Sequence, residues 1–200
     1  HNLDVLAWLL GRPNRIRGFC GFGQWHHIEV EDQVTAWFEY PDGATGTFIS
    51  STGEAPGTNR FEIAGTRGRV VLEHNRLTFT RNETDALDWS RTAQVGFSKP
   101  DVWNVEIPFT DAPHPHATLM QNFVAAILDG TPLIAPGSDG LFSVELANAI
   151  VFSSLTGQTL ELPLDSAAWE GQLQQLIARS QYTKEVRAAG TDDFAASFRR

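Results

Sequence analysis

The segment that most constrains the fold is the turn Pro41-Asp42-Gly43 between two β-like stretches. Proline fixes φ near −65°, and glycine accepts the positive φ that a tight turn requires. The stretch before the turn, residues 33–40, alternates in polarity, and residues 44–51 continue in strand-like composition. A strand of alternating polarity, a tight turn and a second strand together predict an antiparallel hairpin.

The alternation also predicts which side chains share a face of the sheet. Val34, Ala36 and Phe38 fall on one face of the first strand, and Trp37 falls on the other with Thr35. Successive side chains of a strand point to opposite faces, so the first set is the candidate core.

Further strands and turns extend this hairpin into a sheet. A turn at residues 65–68 separates two more candidate strands, and the predicted strands besides the hairpin are residues 15–23, 60–64, 69–73, 76–80, 102–109 and a short one at 159–162. Consecutive hairpins imply a largely antiparallel arrangement.

Helical periodicity dominates the rest of the chain. Apolar residues recur at intervals of three and four residues, which predicts helices over residues 2–10, 116–129, 138–156 and 166–179. The predicted fold class is therefore α+β: a mostly antiparallel open β-sheet with helices packed on one face. We predict one domain over residues 1–180, with residues 181–200 as its C-terminal tail.

The start of the chain lies inside an element. The first helix begins at residue 2 with no preceding Ser, Thr or Asp cap, and the chain does not begin with Met. We expect a further part of the protein upstream.

Charge and composition exclude several partners. The net charge is −9, with 24 acidic residues against 15 Lys and Arg, and such a surface repels phosphate backbones, so no nucleic acid is expected. No stretch approaches the roughly 18 apolar residues of a membrane helix. A single cysteine, Cys20, excludes an internal disulfide and fits a cytoplasmic location.

No dinucleotide-binding motif is present. Gly21-Phe22-Gly23 is followed by Gln24-Trp25-His26 rather than by the opening of a helix, so it predicts a strand kink or bulge. The chain is therefore not expected to bind a dinucleotide by itself.

His1 and Asp4 are the first candidate site residues. They lie one helical turn apart and can share a face. A histidine beside a carboxylate can act as a general acid or base because imidazole titrates near neutrality. The alternative is an ordinary surface residue at the chain terminus.

Trp25 and His26 form a second candidate. If this segment is a strand, the adjacent His26 and His27 point to opposite faces and only one can serve a site. Trp25 offers a surface on which a sugar ring can stack. The alternative is a histidine satisfied at the edge of the sheet.

A Gly- and Pro-rich loop supplies a third candidate. Residues 53–60 (GEAPGTNR) present Glu54, Asn59 and Arg60 as polar groups suited to hydrogen bonding a polyol. The alternative is a solvated hairpin connection.

The segment His114-Pro115-His116 has the spacing of two metal ligands, but the proline and the lack of a nearby third ligand argue against a metal. We retain His116 as a candidate substrate contact and predict no metal.

Several segments together resemble one family. The opening His1-Asn2-Leu3-Asp4 with Trp8-Leu9-Leu10-Gly11 is similar to an H-x-x-D-x-x-x-W-L-x-G segment of the Gfo/Idh/MocA oxidoreductases, at the start of their second domain. The resemblance continues in order to about residue 163, through Glu31-Asp32, Pro41-Asp42-Gly43-Ala44, Ser50-Ser51-Thr52, Phe61–Gly68, Phe123–Gly130, Glu145–Ile150, Ser153-Ser154 and Leu160–Pro163.

This resemblance implies a C-terminal substrate-binding domain whose N-terminal Rossmann domain is absent from the chain. It implies NAD or NADP bound mainly by that domain, and a sugar, polyol or cyclitol such as inositol bound between the two domains. In the family, proton transfer uses a Lys of the first domain and an Asp-x-x-x-His motif, of which only His1 is present here.

The implied site has His1 as the catalytic residue and Asp4, Trp25, His26, Glu54, Asn59, Arg60 and His116 as substrate contacts. The resemblance also implies a homodimer or homotetramer formed through the exposed face of the sheet, to which we assign Trp37 and Phe48. On its own, the chain is expected to be inactive.

Two other functions remain open on the sequence. One is a non-catalytic ligand-binding or oligomerisation module, which binds or assembles without turnover. The other is a metal-dependent sugar isomerase built on the histidines.

Overall fold

The computed structural model describes residues 1–108 and 115–183. Within them the elements follow in the order α1 (Asn2–Leu10), β1 (Arg15–Phe22), β2 (Glu31–Glu39), β3 (Thr45–Ser51), β4 (Arg60–Gly65), β5 (Gly68–Glu73), β6 (Arg76–Asn82), α2 (Ala86–Thr92), β7 (Val102–Ile107), α3 (Pro115–Asp129), α4 (Gly140–Thr156), β8 (Leu160–Glu161) and α5 (Ser166–Arg179). The predicted α+β class with antiparallel strands is confirmed.

The strands divide into two four-stranded sheets. Sheet A has the order β3-β2-β1-β8 and sheet B the order β4-β5-β6-β7. Every pairing described is antiparallel. The hairpin predicted around Pro41-Asp42-Gly43 joins β2 to β3, and Gly43 has a φ of 87°, as the turn requires.

The chain forms two compact units. Among the described residues, the first unit contains 1–12, 54–108 and 115–147 and holds sheet B, and the second contains 13–53 and 148–183 and holds sheet A. The extent predicted for the domain, residues 1–180 with a tail at 181–200, stays a prediction.

One helix escapes the sequence prediction. Helix α2 has seven residues and begins after Asp85, whose carboxylate accepts a hydrogen bond from the Leu87 N–H at 2.9 Å. A helix this short shows too little periodicity to detect, and its only sequence signal is the capping aspartate.

Sheet A buries one face, as the alternation predicted. Ile16 and Phe38 are fully buried and Ala36 almost so. Gly18 lies on the same face, and an added Cβ there would meet the carbonyl oxygen of Ile150 in α4 at 2.2 Å. Helix α4 therefore covers this face so closely that only glycine fits beneath it.

Helix α4 also satisfies the open edge of β1. The Gly18 N–H donates to the Ser153 hydroxyl at 2.9 Å, and the Cys20 N–H donates to the Ser154 hydroxyl at 2.8 Å. Strand β8 pairs with only Arg15 and Ile16 of β1, so these serines supply the partners that a longer strand would have provided.

The other face of sheet A is exposed and partly apolar. Phe19 and Trp37 stand on it with Ile49, whose cross-strand partner is Thr35, and Ile49 is 65% exposed. The assignment of Phe48 to this face is wrong: Phe48 pairs with Ala36 on the buried side, because side chains alternate with a period of two. Ile49, rather than Phe48, is the apolar residue of β3 on the exposed face.

Sheet B separates polar from apolar side chains. One face carries ion pairs such as Arg60–Glu73 and Arg76–Glu106, whose N–O distances are 2.7 and 3.1 Å. The opposite face carries Phe61, Ile63, Val70, Leu72, Leu77, Phe79, Val105 and Ile107.

Among the described residues, no helix is long and apolar enough to cross a membrane.

Candidate functional site

The predicted site residues fall into both units. His1, Asp4, Glu54, Asn59, Arg60 and His116 belong to the first unit, and Trp25 and His26 to the second.

In the first unit, the start of α1 meets the Gly- and Pro-rich loop. The Asn2 side-chain amide donates to the Asn59 side-chain oxygen over 3.3 Å. His1 immediately precedes this contact, and its carbonyl accepts the Val5 N–H at 2.9 Å as the first hydrogen bond of the helix. One hydrogen bond therefore links the terminus carrying His1 to the loop carrying Glu54 and Asn59.

The side chains of His1, Asp4 and Glu54 belong to exposed residues. They can therefore reach a ligand at the protein surface.

Arg60 is fixed by two acidic neighbours. Its guanidinium pairs with Glu62 on its own strand and with Glu73 on β5. The hydrogen bond to Glu62 raises the pKa of Arg60, burial opposes this, and Glu73 adds to it. The same contact lowers the pKa of Glu62. The arrangement holds a planar cation in a defined orientation, and it leaves fewer N–H groups for a ligand.

His116 lies at the exposed start of α3. Its predicted companion His114 lies outside the described residues. Among the described residues, no group of three or more His, Cys, Asp or Glu side chains is arranged to hold a metal ion.

In the second unit, Trp25 and His26 lie in the loop between β1 and β2. This corrects the assumption that His26 and His27 sit on a strand. They still point to different neighbours: the His26 ring contacts Thr52 and Asp32, whereas the His27 ring lies 5.9 Å from that of Tyr182.

Asp32 organises this loop and was not among the predicted site residues. Its side chain is buried, and its carboxylate accepts the backbone N–H groups of Gln24, Trp25 and His26 at 3.0, 2.7 and 3.0 Å. Burial acts to raise the pKa of Asp32, but these three hydrogen bonds and the contact with the His26 ring outweigh it and hold the pKa below its usual value. Asp32 thus stays ionised inside a ring of donors.

A sequence signal for Asp32 existed. It occupies the same face of β2 as Val34, Ala36 and Phe38, which is the buried face. A carboxylate on a buried face requires hydrogen-bonding partners, and this marks it for inspection.

Two residues just after β3, Thr52 and Gly53, pack against the loop that carries Trp25 and His26. The Thr52 hydroxyl lies 3.1 Å from His26 Nδ1. Gly53 lies flat against the Trp25 indole, since an added Cβ would approach the ring to 2.5 Å. Trp25 is nevertheless 57% exposed, so its other surface is open to solvent.

The described residues do not fit a dinucleotide. Gly21 lies at the irregularity predicted there, where the β1–β2 register shifts between Gly21 and Phe22. Added Cβ atoms at Gly21 and Gly23 would meet the Gln24 side chain and the Ile28 carbonyl. These glycines therefore accommodate their own loop, and both described sheets lack the parallel strand pair of a dinucleotide-binding unit.

The second unit also contains an apolar cavity of about 470 Å³. It is lined by Phe22, Glu29, Val30, Leu155, Leu173, Leu176, Ile177, Arg179 and Ser180, none of which was predicted as a site residue. Glu29 is held at its rim by the Ser180 hydroxyl and by the Gln181 N–H at 2.9 Å, which lower its pKa.

Residues 1–71, which include α1, the hairpin of sheet A and the Gly- and Pro-rich loop, match the family model described as the GFO/IDH/MocA C-terminal domain. The predicted resemblance to the Gfo/Idh/MocA family is confirmed. No curated protein matches the chain.

Solved structures share the fold of this chain. The WlbA dehydrogenase of Bordetella pertussis, in complex with NADH and UDP-GlcNAcA, is 23% identical with a TM-score of 0.59, over 82% of this chain and 43% of that one. The aldose-aldose oxidoreductase of Caulobacter crescentus, complexed with glycerol, is 19% identical with a TM-score of 0.59, over 80% and 44%.

An oxidoreductase of Agrobacterium radiobacter, in complex with NAD+, L-tartaric acid and magnesium, is 20% identical with a TM-score of 0.54, over 80% of this chain and 46% of that one. The chain therefore spans less than half the length of these three structures.

Proposed function

We propose that the chain is the substrate-binding half of an NAD(P)-dependent oxidoreductase that acts on a hydroxyl of a sugar, polyol or cyclitol. The family match supports this, as do similar structures named as dehydrogenases or oxidoreductases and solved with NADH, a UDP-sugar acid or glycerol. Since the chain spans less than half of those proteins, the whole activity requires a further domain.

The observation that carries the proposal is the hydrogen bond from Asn2 to Asn59. It holds the terminus bearing His1 next to the loop bearing Glu54 and Asn59. In our proposal His1 receives the proton of the substrate hydroxyl, and Asp4, one turn along the same helix, accepts a hydrogen bond from another hydroxyl. Carboxylate, amide and imidazole groups of this kind are suited to a ligand with many hydroxyls.

Within the first unit, Arg60 and His116 are proposed as further substrate contacts. Trp25 and His26, in the second unit, are proposed as substrate contacts by themselves. Arg60 is held in place by Glu62 and Glu73, so it would present its remaining N–H groups without first losing side-chain freedom.

The cofactor is assigned to the further domain, because the described residues do not fit a dinucleotide. NAD or NADP would supply the hydride chemistry when bound there. The residues of this chain bind and orient the substrate and take up the proton.

We further propose that the protein assembles as a homodimer or homotetramer through the exposed face of sheet A. Ile49, Phe19 and Trp37 are 65, 56 and 42% exposed there. Aromatic and aliphatic residues clustered on one face are typical of a protein interface.

Nicotinamide turnover tests the oxidoreductase proposal. The protein that joins this chain to its dinucleotide-binding domain is assayed with NAD and with NADP against a panel of sugars and cyclitols. We expect turnover there and none from the 200-residue chain alone.

His1→Ala is expected to lower kcat/KM by about 10²–10⁴-fold, the usual contribution of a general base. The matched control is His74→Asn in the β5–β6 turn, since His74 is exposed with a φ of 50°, which asparagine tolerates. Equal activity of the two variants would remove His1 from the mechanism.

A non-catalytic oligomerisation module is the second candidate, and the exposed face of sheet A favours it. It predicts assembly of the joined protein without turnover on any member of the panel. Turnover separates the two candidates, because Ile49→Lys should break the assembly under both of them, whereas only the oxidoreductase has a turnover that this variant can retain.

A further inference from the structure

The imidazole of His26 meets two polar groups through a single ring nitrogen. Its Nδ1 faces the Asp32 carboxylate at 3.5 Å and the Thr52 hydroxyl at 3.1 Å. The carboxylate can only accept, and the Thr52 hydroxyl directs its own proton to the Asp32 carbonyl at 3.4 Å. Both neighbours can therefore accept from Nδ1, and this favours the neutral tautomer that carries its proton on Nδ1.

In that tautomer the opposite ring nitrogen, Nε2, is a hydrogen-bond acceptor. No hydrogen bond to Nε2 of His26 is found within residues 1–108 and 115–183, and the side chain is 47% exposed. A hydrogen-bond acceptor fixed at the protein surface is complementary to a ligand O–H group.

The neighbouring Trp25 is supported by the same short segment. Thr52 contacts the His26 ring and Gly53 contacts the Trp25 indole, so two consecutive residues after β3 hold two consecutive residues of the β1–β2 loop. The Trp25 indole N–H is turned toward the Gln33 side chain at 3.4 Å, which leaves an open aromatic surface beside the imidazole.

We propose that Asp32 and Thr52 are positioning residues that hold His26 with Nε2 outward, so that His26 and Trp25 form a subsite for one ring of a cyclic polyol. The ring would donate a hydroxyl hydrogen bond to Nε2 and place its C–H face on the indole. The choice of a polyol ring rests on the proposed function. The positioning of His26 rests on the geometry alone.

Nε2 of His26 beside the Trp25 indole favours a ligand that has both a hydroxyl to donate and an apolar face to stack. A ring that carries hydroxyls on its edge and hydrogens on its face satisfies both groups at once, and aromatic faces contribute a large contact area. A carboxylate or phosphate oxygen would instead meet the lone pair of Nε2 and the nearby charge of Asp32, which disfavours anions at this position.

The first test is the tautomer, read from the ring nitrogen chemical shifts of the 200-residue chain at a pH where His26 is neutral. We expect a protonated Nδ1 and an unprotonated Nε2 at His26. Asp32→Asn and Thr52→Val should each shift the ring toward the Nε2–H form that free histidine favours. Thr52→Val keeps the side-chain shape and serves if Asp32→Asn disturbs the loop.

The second test is ligand binding at the same nuclei. Myo-inositol and D-glucose are titrated into the chain, and ring shifts are followed at His26 and at the Trp25 indole N–H. We expect both residues to respond in the wild type, with loss of the response in Trp25→Ala and Thr52→Val. His27→Ala is the matched control, since its ring contacts Tyr182 rather than this pair, and it should respond as the wild type does.

A His26 ring that carries its proton on Nε2, or a tautomer unchanged in both positioning variants, overturns the role of Asp32 and Thr52. Shifts confined to other residues, or none with either probe, overturn the polyol subsite. Neither readout involves the cofactor, so an absence of nicotinamide turnover would refute the proposed function while leaving this result standing.

Discussion

The two units of the molecule differ in how far they bury their apolar side chains. In the unit of sheet A, Ile16, Phe38 and Ala149 are fully buried. In the described part of the unit of sheet B, the buried residues are Pro100 and Leu146, and residues such as Leu72 and Ile107 on the apolar face are about two-fifths exposed. The difference indicates that sheet A carries a core of its own, whereas sheet B presents an apolar surface that suits a covering partner.

The largest expected effect comes from emptying the core of sheet A. Phe38→Ala should lower the free energy of unfolding by about 3–5 kcal/mol, through lost burial and the cavity left behind. Phe79→Ala on the apolar face of sheet B should cost about half as much or less, because Phe79 is only partly buried. Urea unfolding followed by tryptophan fluorescence measures both values, and equal losses would break the comparison between the units.

The same contrast shows how far sequence reasoning reaches. The alternation from Val34 to Phe38 predicted the buried face of β2 correctly, because a period of two is a local property. It could not show that Ser153 serves as a partner for β1, since that role depends on a contact 135 residues away. Helix α2 was missed because its seven residues are set by one capping aspartate.

The candidate site, too, could be predicted from the sequence only in part. His1, Asn59 and Arg60 were predicted from residue types and, for His1, from the family resemblance. The pairing of Arg60 with Glu73 follows from the β4–β5 register, which composition does not specify. Asp32 was marked by its place on the buried face of β2, but its partners are backbone N–H groups of the β1–β2 loop, whose path the sequence does not specify.

The second prediction concerns the close approach of α4 to sheet A. Gly18→Ala should destabilise the protein by roughly 1–3 kcal/mol, since the new methyl group meets the Ile150 carbonyl and the helix must shift. Gly65→Ala on sheet B meets no atom within 4 Å and should change stability by less than about 0.5 kcal/mol. Thermal unfolding of the two variants distinguishes them, and a tolerated alanine at position 18 would show that α4 packs more loosely than the structure indicates.

The third prediction compares two serines of α4, one in each unit. The Ser153 hydroxyl is fully buried, accepts the Gly18 N–H and donates to the Gln158 carbonyl. Ser153→Ala leaves those groups without a partner and should cost about 1–3 kcal/mol. Ser143 is partly exposed and bonds within its own helix, to the Gly140 carbonyl at 3.1 Å, so Ser143→Ala should stay within about 0.5 kcal/mol. A loss at Ser143 as large as that at Ser153 would contradict the assignment of the buried core to sheet A.

The smallest expected effect is a pH dependence contributed by Asp85 in the unit of sheet B. The Thr66 hydroxyl, at 2.6 Å, and the Leu87 N–H lower the pKa of Asp85 below its usual value, and Arg67 adds to this. A carboxyl whose pKa is lowered by folding stabilises the protein above its unfolded pKa of about 3.9, and this contribution is lost as the pH falls through the folded value. The urea midpoint should therefore decline below about pH 4, and less steeply in Asp85→Asn.

The pKa of Asp32 in the unit of sheet A is also lowered by folding, so Asp32→Asn should flatten the same part of the curve. Because the Asp32 side chain is buried and Asp85 is partly exposed, the flattening should be greater for Asp32→Asn, and the reverse order would place the tighter polar network in the unit of sheet B.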